Sequence, residues 1–249
     1  MFDVVIPLGP NDVKRFGQQL EHTRKYVIGY RRIYVVAFDP SVIDPLHDTS
    51  IIIVPESVFP FSKNTVSVYH GVNSRNGWYF QQLLKMYAWA YLDGLMDRYL
   101  VVDADTFFVN PTVFETTNGK CLYNFAREYH PPYFEHMARM SPIFTRTYEL
   151  SGICHHMLFE TPVVKEIIGE VEAEHKGKRF WEVFLECVEA GLRHGIGSGA
   201  SEYELYFHYI MKTRLDKVEI RELVWANAAK WSPEEWTDHD YVAWHHYDQ

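Results

Sequence analysis

Asp103 and Asp105 stand one residue apart in Val101-Val102-Asp103-Ala104-Asp105-Thr106, near the end of the apolar run 98–108. Two carboxylates at that spacing can share a hard cation directly or through water, and Mg²⁺ or Mn²⁺ suits such oxygen ligands. Burying the pair next to Tyr99-Leu100-Val101-Val102 without a counter-charge is costly, and a bound metal removes that cost. Lys85 lies beside the apolar stripe of the helical segment that precedes this run, placing a long cationic side chain within reach of a ligand oxygen near the metal. Gln81, one turn earlier, is positioned to orient the same ligand; an ordinary solvated lysine is the plainer alternative for Lys85.

Ser201-Glu202-Tyr203-Glu204 reads as a capping box, in which Ser201 and Glu204 satisfy backbone donors at a helix start. Glu202 is then free to project into a cleft as a general base or as a carboxylate that binds a ligand hydroxyl. The chain has two further pairs of note, His155-His156 after Ser151-Gly152 and His245-His246 near its end. For the first pair, a satisfied core histidine is a strong competing explanation. In the second, adjacent residues on a strand point to opposite faces, so one of the two can reach a cation.

The elements that must position these groups follow from periodicity. Val4 to Leu8 predicts a first strand, Asn11 or Asp12 caps a helix to about Val27, and Arg32 to Phe38 and Ser50 to Val54 predict two more buried strands. Between Pro55 and Asn76 no period holds, which predicts a long irregular loop of the kind that is often functional. Phe80, Leu83, Leu84, Tyr87 and Tyr91 recur at three- and four-residue spacing and form the stripe of the next helix. Arg98 to Phe108 then predicts one strand, stopped by Asn110-Pro111, with its carboxylates where open α/β sheets place ligands. Beyond it, strands are expected at Cys121 to Ala126 and Ile153 to Phe159, with a poorly defined aromatic and Met-containing segment between. Helices are expected at Val163 to Glu174, Phe180 to Ala190 and Glu202 to Lys212, and strands at Val218 to Leu223 and Tyr241 to Tyr247. Strands alternating with helices imply an α/β fold with a mixed, mostly parallel sheet.

Composition sets limits. Of 249 residues, 47% are hydrophobic and 23% charged, enough for a large core in a single domain. A net charge of -9 argues against a nucleic-acid-coating protein, which draws its affinity from clustered Lys and Arg. An acidic chain can still bind a diphosphate when a divalent cation supplies the positive charge. Cys121, Cys154 and Cys187 lack C-x-x-C spacing, arguing against a zinc site or disulfide framework. With no signal-peptide pattern and no apolar stretch of about 18 residues, the expectation is a cytoplasmic protein with no transmembrane segment.

Gly77-Trp78-Tyr79-Phe80-Gln81-Gln82-Leu83-Leu84-Lys85, then Tyr99-Leu100-Val101-Val102-Asp103-Ala104-Asp105-Thr106, then Ser201-Glu202-Tyr203-Glu204 together resemble GT-A fold glycosyltransferases of a family found in microbes and large DNA viruses. The resemblance covers the whole chain. It implies a GT-A-like domain over 1–249, with a nucleotide-binding half at about 1–110 and an acceptor-binding half at about 111–249. It further implies Mn²⁺ or Mg²⁺ on Asp103 and Asp105, bridging the diphosphate of a nucleotide-sugar donor of the UDP-sugar kind, and a carbohydrate or other hydroxyl acceptor. A late histidine completing the metal shell is implied as well, assigned to His245. Asp39, at a strand end, is implied to contact the donor's ribose or base, although it also begins an Asp-Pro turn. The His155-His156 segment is implied to contact sugar or acceptor, and His156 is assigned with Glu202 to catalysis. A sugar nucleotidyltransferase is the nearest rival, but Leu8-Gly9-Pro10-Asn11-Asp12 supplies one glycine where a Gly-rich phosphate loop is expected; a non-catalytic glycan-binding module is the other.

Overall fold

The N-terminal apolar run becomes β1 (Phe2–Leu8), every residue of which is buried, as expected of a central parallel strand covered on both faces. The computed structural model describes residues 1–43, 51–195, 197–229 and 233–245. After β1 come α1 (Val13–Tyr26), β2 (Val27–Ile28), β3 (Tyr30–Ala37), β4 (Ile51–Pro55), α2 (Lys63–His70) and α3 (Asn76–Tyr91). They lead into β5 (Arg98–Val102), β6 (Thr106–Phe108), β7 (Thr112–Val113), β8 (Cys121–Asn124), α4 (Pro131–Met140) and β9 (His156–Glu160). The chain continues through α5 (Thr161–Glu174), α6 (Phe180–Glu186), α7 (Glu202–Thr213), β10 (Val218–Arg221), β11 (Trp225–Asn227) and β12 (Tyr241–Ala243).

The central sheet has the order β4-β3-β1-β5-β9. β1 pairs in parallel with β3 and β5, β3 with β4, and only β9 runs antiparallel, against β5. The protein is therefore a mixed α/β fold with a mostly parallel sheet flanked by helices. From β1 the chain adds strands outward on one side through β3 and β4, then returns to the other side with β5. The order reverses between β1 and β5, and the crevice outside the carboxyl ends of strands at such a reversal is where open α/β sheets bind ligands. One hydrophobic cluster extends from Phe2 to Tyr241 and takes in residues from β1, α3, β5, β9, α5 and α7. Each fully buried Val, Leu or Phe in it contributes about 1.5–3 kcal/mol.

Three sequence expectations need correction. The segment 55–76 is not irregular: it contains α2, started by a capping box in which Ser62 accepts from the Thr65 N–H and the Ser62 N–H donates to the Thr65 hydroxyl. The predicted strand at 98–108 is two strands, because Asp103-Ala104-Asp105 turns the chain from the central sheet into β6, which belongs to a separate sheet of order β11-β12-β6. The aromatic and Met-containing segment forms α4, begun by Pro131 and Pro132, whose fixed φ suits a first helical turn. Ser50, His246 and Tyr247 lie outside the described residues. No helix among the described residues is long and apolar enough to cross a membrane.

Candidate metal centre

The turn bearing the two aspartates is held from three directions. Thr106 N–H closes it onto the Asp103 carbonyl at 3.0 Å, Asp103 N–H donates to the His155 carbonyl at 3.0 Å, and Trp244 N–H donates to the Asp105 carbonyl at 2.8 Å. The second contact extends the β5–β9 register: Val102 pairs with His156, so the next step brings Asp103 opposite His155. His155 has φ 59°, a left-handed conformation uncommon for a non-glycine residue and typical of sites where surrounding structure over-determines the backbone.

Asp103 uses its two oxygens differently. Oδ1 takes Lys85 Nζ at 2.5 Å and the Tyr203 hydroxyl at 3.1 Å, while Oδ2 lies 3.6 Å from His155 Nδ1. Lys85 is 1% exposed, and its other contacts are Glu202 Oε1 at 2.6 Å and the Tyr203 hydroxyl at 3.1 Å. All three ammonium protons thus have acceptors. Burial opposes charge on Lys85, but Asp103 and Glu202 outweigh it and raise its pKa. Burial likewise pushes the Asp103 carboxyl up, yet the Lys85 ammonium and His155 overcome it and hold the group well below the usual carboxylate range. Glu202 goes the other way, raised chiefly by burial despite Lys85.

On the far side of the turn, Asp105 Oδ2 meets His245 Nδ1 at 2.7 Å, and His245 Nε2 lies 3.2 Å from Asn227 Oδ1. Asp12, beside the first turn of α1, has its pKa raised to about 6 by burial and by the charges of Asp105 and Asp103. The loop after β1 and the turn after β5 therefore meet at the reversal point of the sheet. Arg15, one turn into α1, is buried against the Trp244 ring at 4.5 Å and bonds to its carbonyl.

Asp103, Asp105 and His155 each offer one ligand atom, and the three lie within 4.8 Å of one another. Metal–oxygen bonds of about 2.0–2.6 Å bring ligands on one ion roughly 4–5 Å apart at most, so the spacing is within reach of a single cation. Two carboxylates with one imidazole suit a divalent ion of the Mn²⁺ or Mg²⁺ kind. The charge count agrees: Asp103, Asp105 and Glu202 against Lys85 leave an excess of two formal negative charges. The donor set therefore fits a divalent metal.

Residues 23–247 match the family described as "Family of unknown function (DUF6492)", a span that takes in nearly the whole chain. The chain belongs to the DUF6492 family. No curated protein matches it.

In this DUF6492 chain the site residues expected from sequence divide into two groups. Asp103, Asp105, Lys85, Glu202 and His245 come together. His245 does so as a hydrogen-bond partner of Asp105, while His155 completes the three-ligand group. Lys85 is neither solvated nor free to reach a ligand, and Glu202, 3% exposed, is bound to it through Oε1 and has its backbone N–H on Gln82 Oε1 at 3.0 Å. Gln81 is half-buried, and the neighbouring Gln82 makes the link to Glu202.

His156 is not brought to the site. Its ring packs against Phe108, Phe114 and Tyr241, with centroids 5.2, 5.4 and 4.7 Å away, and burial pushes its pKa down to about 3. This is the core histidine of the alternative reading. Asp39 caps the short turn Pro40–Val42 through Ser41 N–H at 2.9 Å, and those bonds from Ser41 lower its pKa. The capping box at α7 is half realised. Ser201 Oγ accepts from Glu204 N–H, but the Glu204 carboxylate instead takes Ser151 Oγ at 2.7 Å and Gly152 N–H at 2.9 Å, anchoring the segment that leads to His155.

Proposed function

We propose that this chain is a metal-dependent glycosyltransferase of GT-A type, transferring a sugar from a nucleotide-diphosphate sugar, of the UDP-sugar kind, to a hydroxyl of a carbohydrate acceptor. The observation that carries the reading is the cluster of Asp103, Asp105 and His155 ligand atoms within 4.8 Å of one another, set after β5 in the crevice between β1 and β5. A divalent cation held there would offset the charge that develops on a leaving diphosphate.

The chain's own residues prepare that site. Lys85 and Tyr203 fix Asp103 through Oδ1, so that Oδ2 faces His155 and the carboxylate stays charged. His245 orients Asp105, and the partial positive charge at the N-terminus of α1 favours an anion in the adjacent crevice. Glu202, tied to Lys85, keeps the ammonium between the two carboxylates rather than acting on a substrate.

The test is nucleotide release from a panel of UDP-, GDP- and dTDP-sugars, with Mn²⁺ or with EDTA. The reading predicts that at least one UDP-sugar yields UDP in Mn²⁺ and none in EDTA. Release of no nucleoside diphosphate from any donor in the presence of Mn²⁺ would contradict it.

A further inference from the structure

A cleft of about 320 Å³ lies between the segments that follow β8 and β10, unused by the donor site just described. One wall follows β8 and includes Phe125 and Arg127; the other leads into β11 and includes Glu222, Leu223, Val224 and Trp225. The volume falls at the lower end of small-molecule pockets, about 300–1,000 Å³, and so suits a ring or two rather than a polymer or a protein.

Each wall combines an aromatic ring with a charged side chain. Trp225 stacks on Tyr241, with ring centroids 5.5 Å apart and planes 7° from parallel. Tyr241 is fully buried, and its hydroxyl accepts from Asn124 Nδ2 at 3.1 Å, so the indole rests on a fixed support. Trp225, half-buried on that support, lines the cleft. Opposite charges meet at the rim, where the Arg127 guanidinium lies 3.9 Å from the Glu222 carboxylate, with side chains 72% and 63% exposed. A pair so solvated holds its partners weakly and retains donors and acceptors for a ligand. Trp225 also contacts His155, ring centroids 5.1 Å apart at 76°. A residue of the candidate metal group therefore touches a residue that lines the cleft.

A neutral pyranose ring matches every feature. Its C–H face is apolar and packs on an indole, its hydroxyls both donate and accept, and it carries no charge for Glu222 to repel. An anion or a cation gains from one member of the Arg127–Glu222 pair and is repelled by the other, and a purely aliphatic ligand leaves both desolvated without new partners. We propose that the cleft bounded by Trp225, Phe125, Arg127 and Glu222 binds a neutral pyranoside. That this pyranoside is the sugar acceptor rests on the glycosyltransferase reading; its binding in the cleft does not.

Saturation-transfer NMR tests this without donor or metal, using the methyl pyranosides of glucose, galactose, mannose, xylose and N-acetylglucosamine as probes. Wild-type protein, Trp225→Ala and Val224→Trp are compared; Val224 is 53% exposed, so the larger side chain fills the cleft without entering the core. The expected result is saturation of the ring C–H protons of at least one pyranoside, weakened about tenfold or more in both variants, with Val224→Trp keeping its wild-type melting temperature and its response to Mn²⁺. Absence of transfer to every pyranoside, or undiminished transfer in a folded Val224→Trp, overturns the proposal. Pyranoside binding by a protein that releases no nucleoside diphosphate supports the cleft and removes the transferase reading.

Discussion

Lys85 Nζ and Asp103 Oδ1 form a 2.5 Å ion pair in which the lysine is 1% exposed. Glu202 lies on the same ammonium at 2.6 Å, so one cation neutralises part of a larger negative cluster. Removing a single partner from such an arrangement leaves an uncompensated buried charge.

Lys85→Met should therefore lower stability by about 3–5 kcal/mol, read from urea denaturation at pH 7. Adding Glu202→Gln should recover part of that loss, since one of the stranded carboxylates is then neutral. Equal stability of the single and double variants would show that Lys85 and Glu202 are not coupled.

Gly152 is constrained by close approach. A Cβ there would meet Phe207 Cβ at 2.5 Å and the Tyr203 carbonyl oxygen at 2.8 Å. Gly152→Ala should cost about 1–3 kcal/mol through overpacking and weaken cation binding as well, because the same segment positions His155. Thermal melts with and without Mn²⁺ read both effects.

The left-handed backbone of His155 separates two contributions. His155→Gly should be about 1 kcal/mol more stable than His155→Ala, because alanine retains the strain that glycine relieves. Both should lose affinity for the cation, having lost the imidazole. If His155→Ala binds Mn²⁺ as wild type does, the ring is not a ligand.

His136 gives an acid transition independent of the site. It is fully buried, its Nε2–H donates to the Phe184 carbonyl at 2.8 Å, and burial brings its pKa from 6.5 to about 4. Below pH 6.5 the unfolded chain takes up a proton that the folded protein refuses until about pH 4. The associated stability is thus present above 6.5 and lost as pH falls through 4, amounting to about 3 kcal/mol. His136→Gln should flatten the melting-temperature profile across that window; an unchanged profile would contradict the assignment.

Much of the fold was legible because its signals are local. The strands of the parallel sheet are short β-branched runs, and α3 shows its stripe. The break after Val102 was not legible, since apolar residues continue on both sides of Asp103-Ala104-Asp105 and nothing local marks the change of sheet. α2 escaped notice because Val68 is 76% exposed while Val66 is buried, which blurs the period, and because its box uses Thr65 in place of Glu or Gln. At the site, Asp103 and Asp105 stood out by spacing. The choice of His155 over His156 depends on the antiparallel pairing of β9 with β5, and the enclosure of Lys85 depends on α7, over a hundred residues away in sequence. Neither leaves a local trace.

The central claim is that Asp103, Asp105 and His155 hold a divalent cation that in turn holds a nucleoside diphosphate. Its most direct test is calorimetric titration of UDP into wild-type protein and into Asp103→Asn/Asp105→Asn, each with and without Mn²⁺. The account predicts UDP binding by the wild type in Mn²⁺ alone, and none by the double variant. UDP binding that is equally tight in the double variant, or that is indifferent to Mn²⁺, would contradict it.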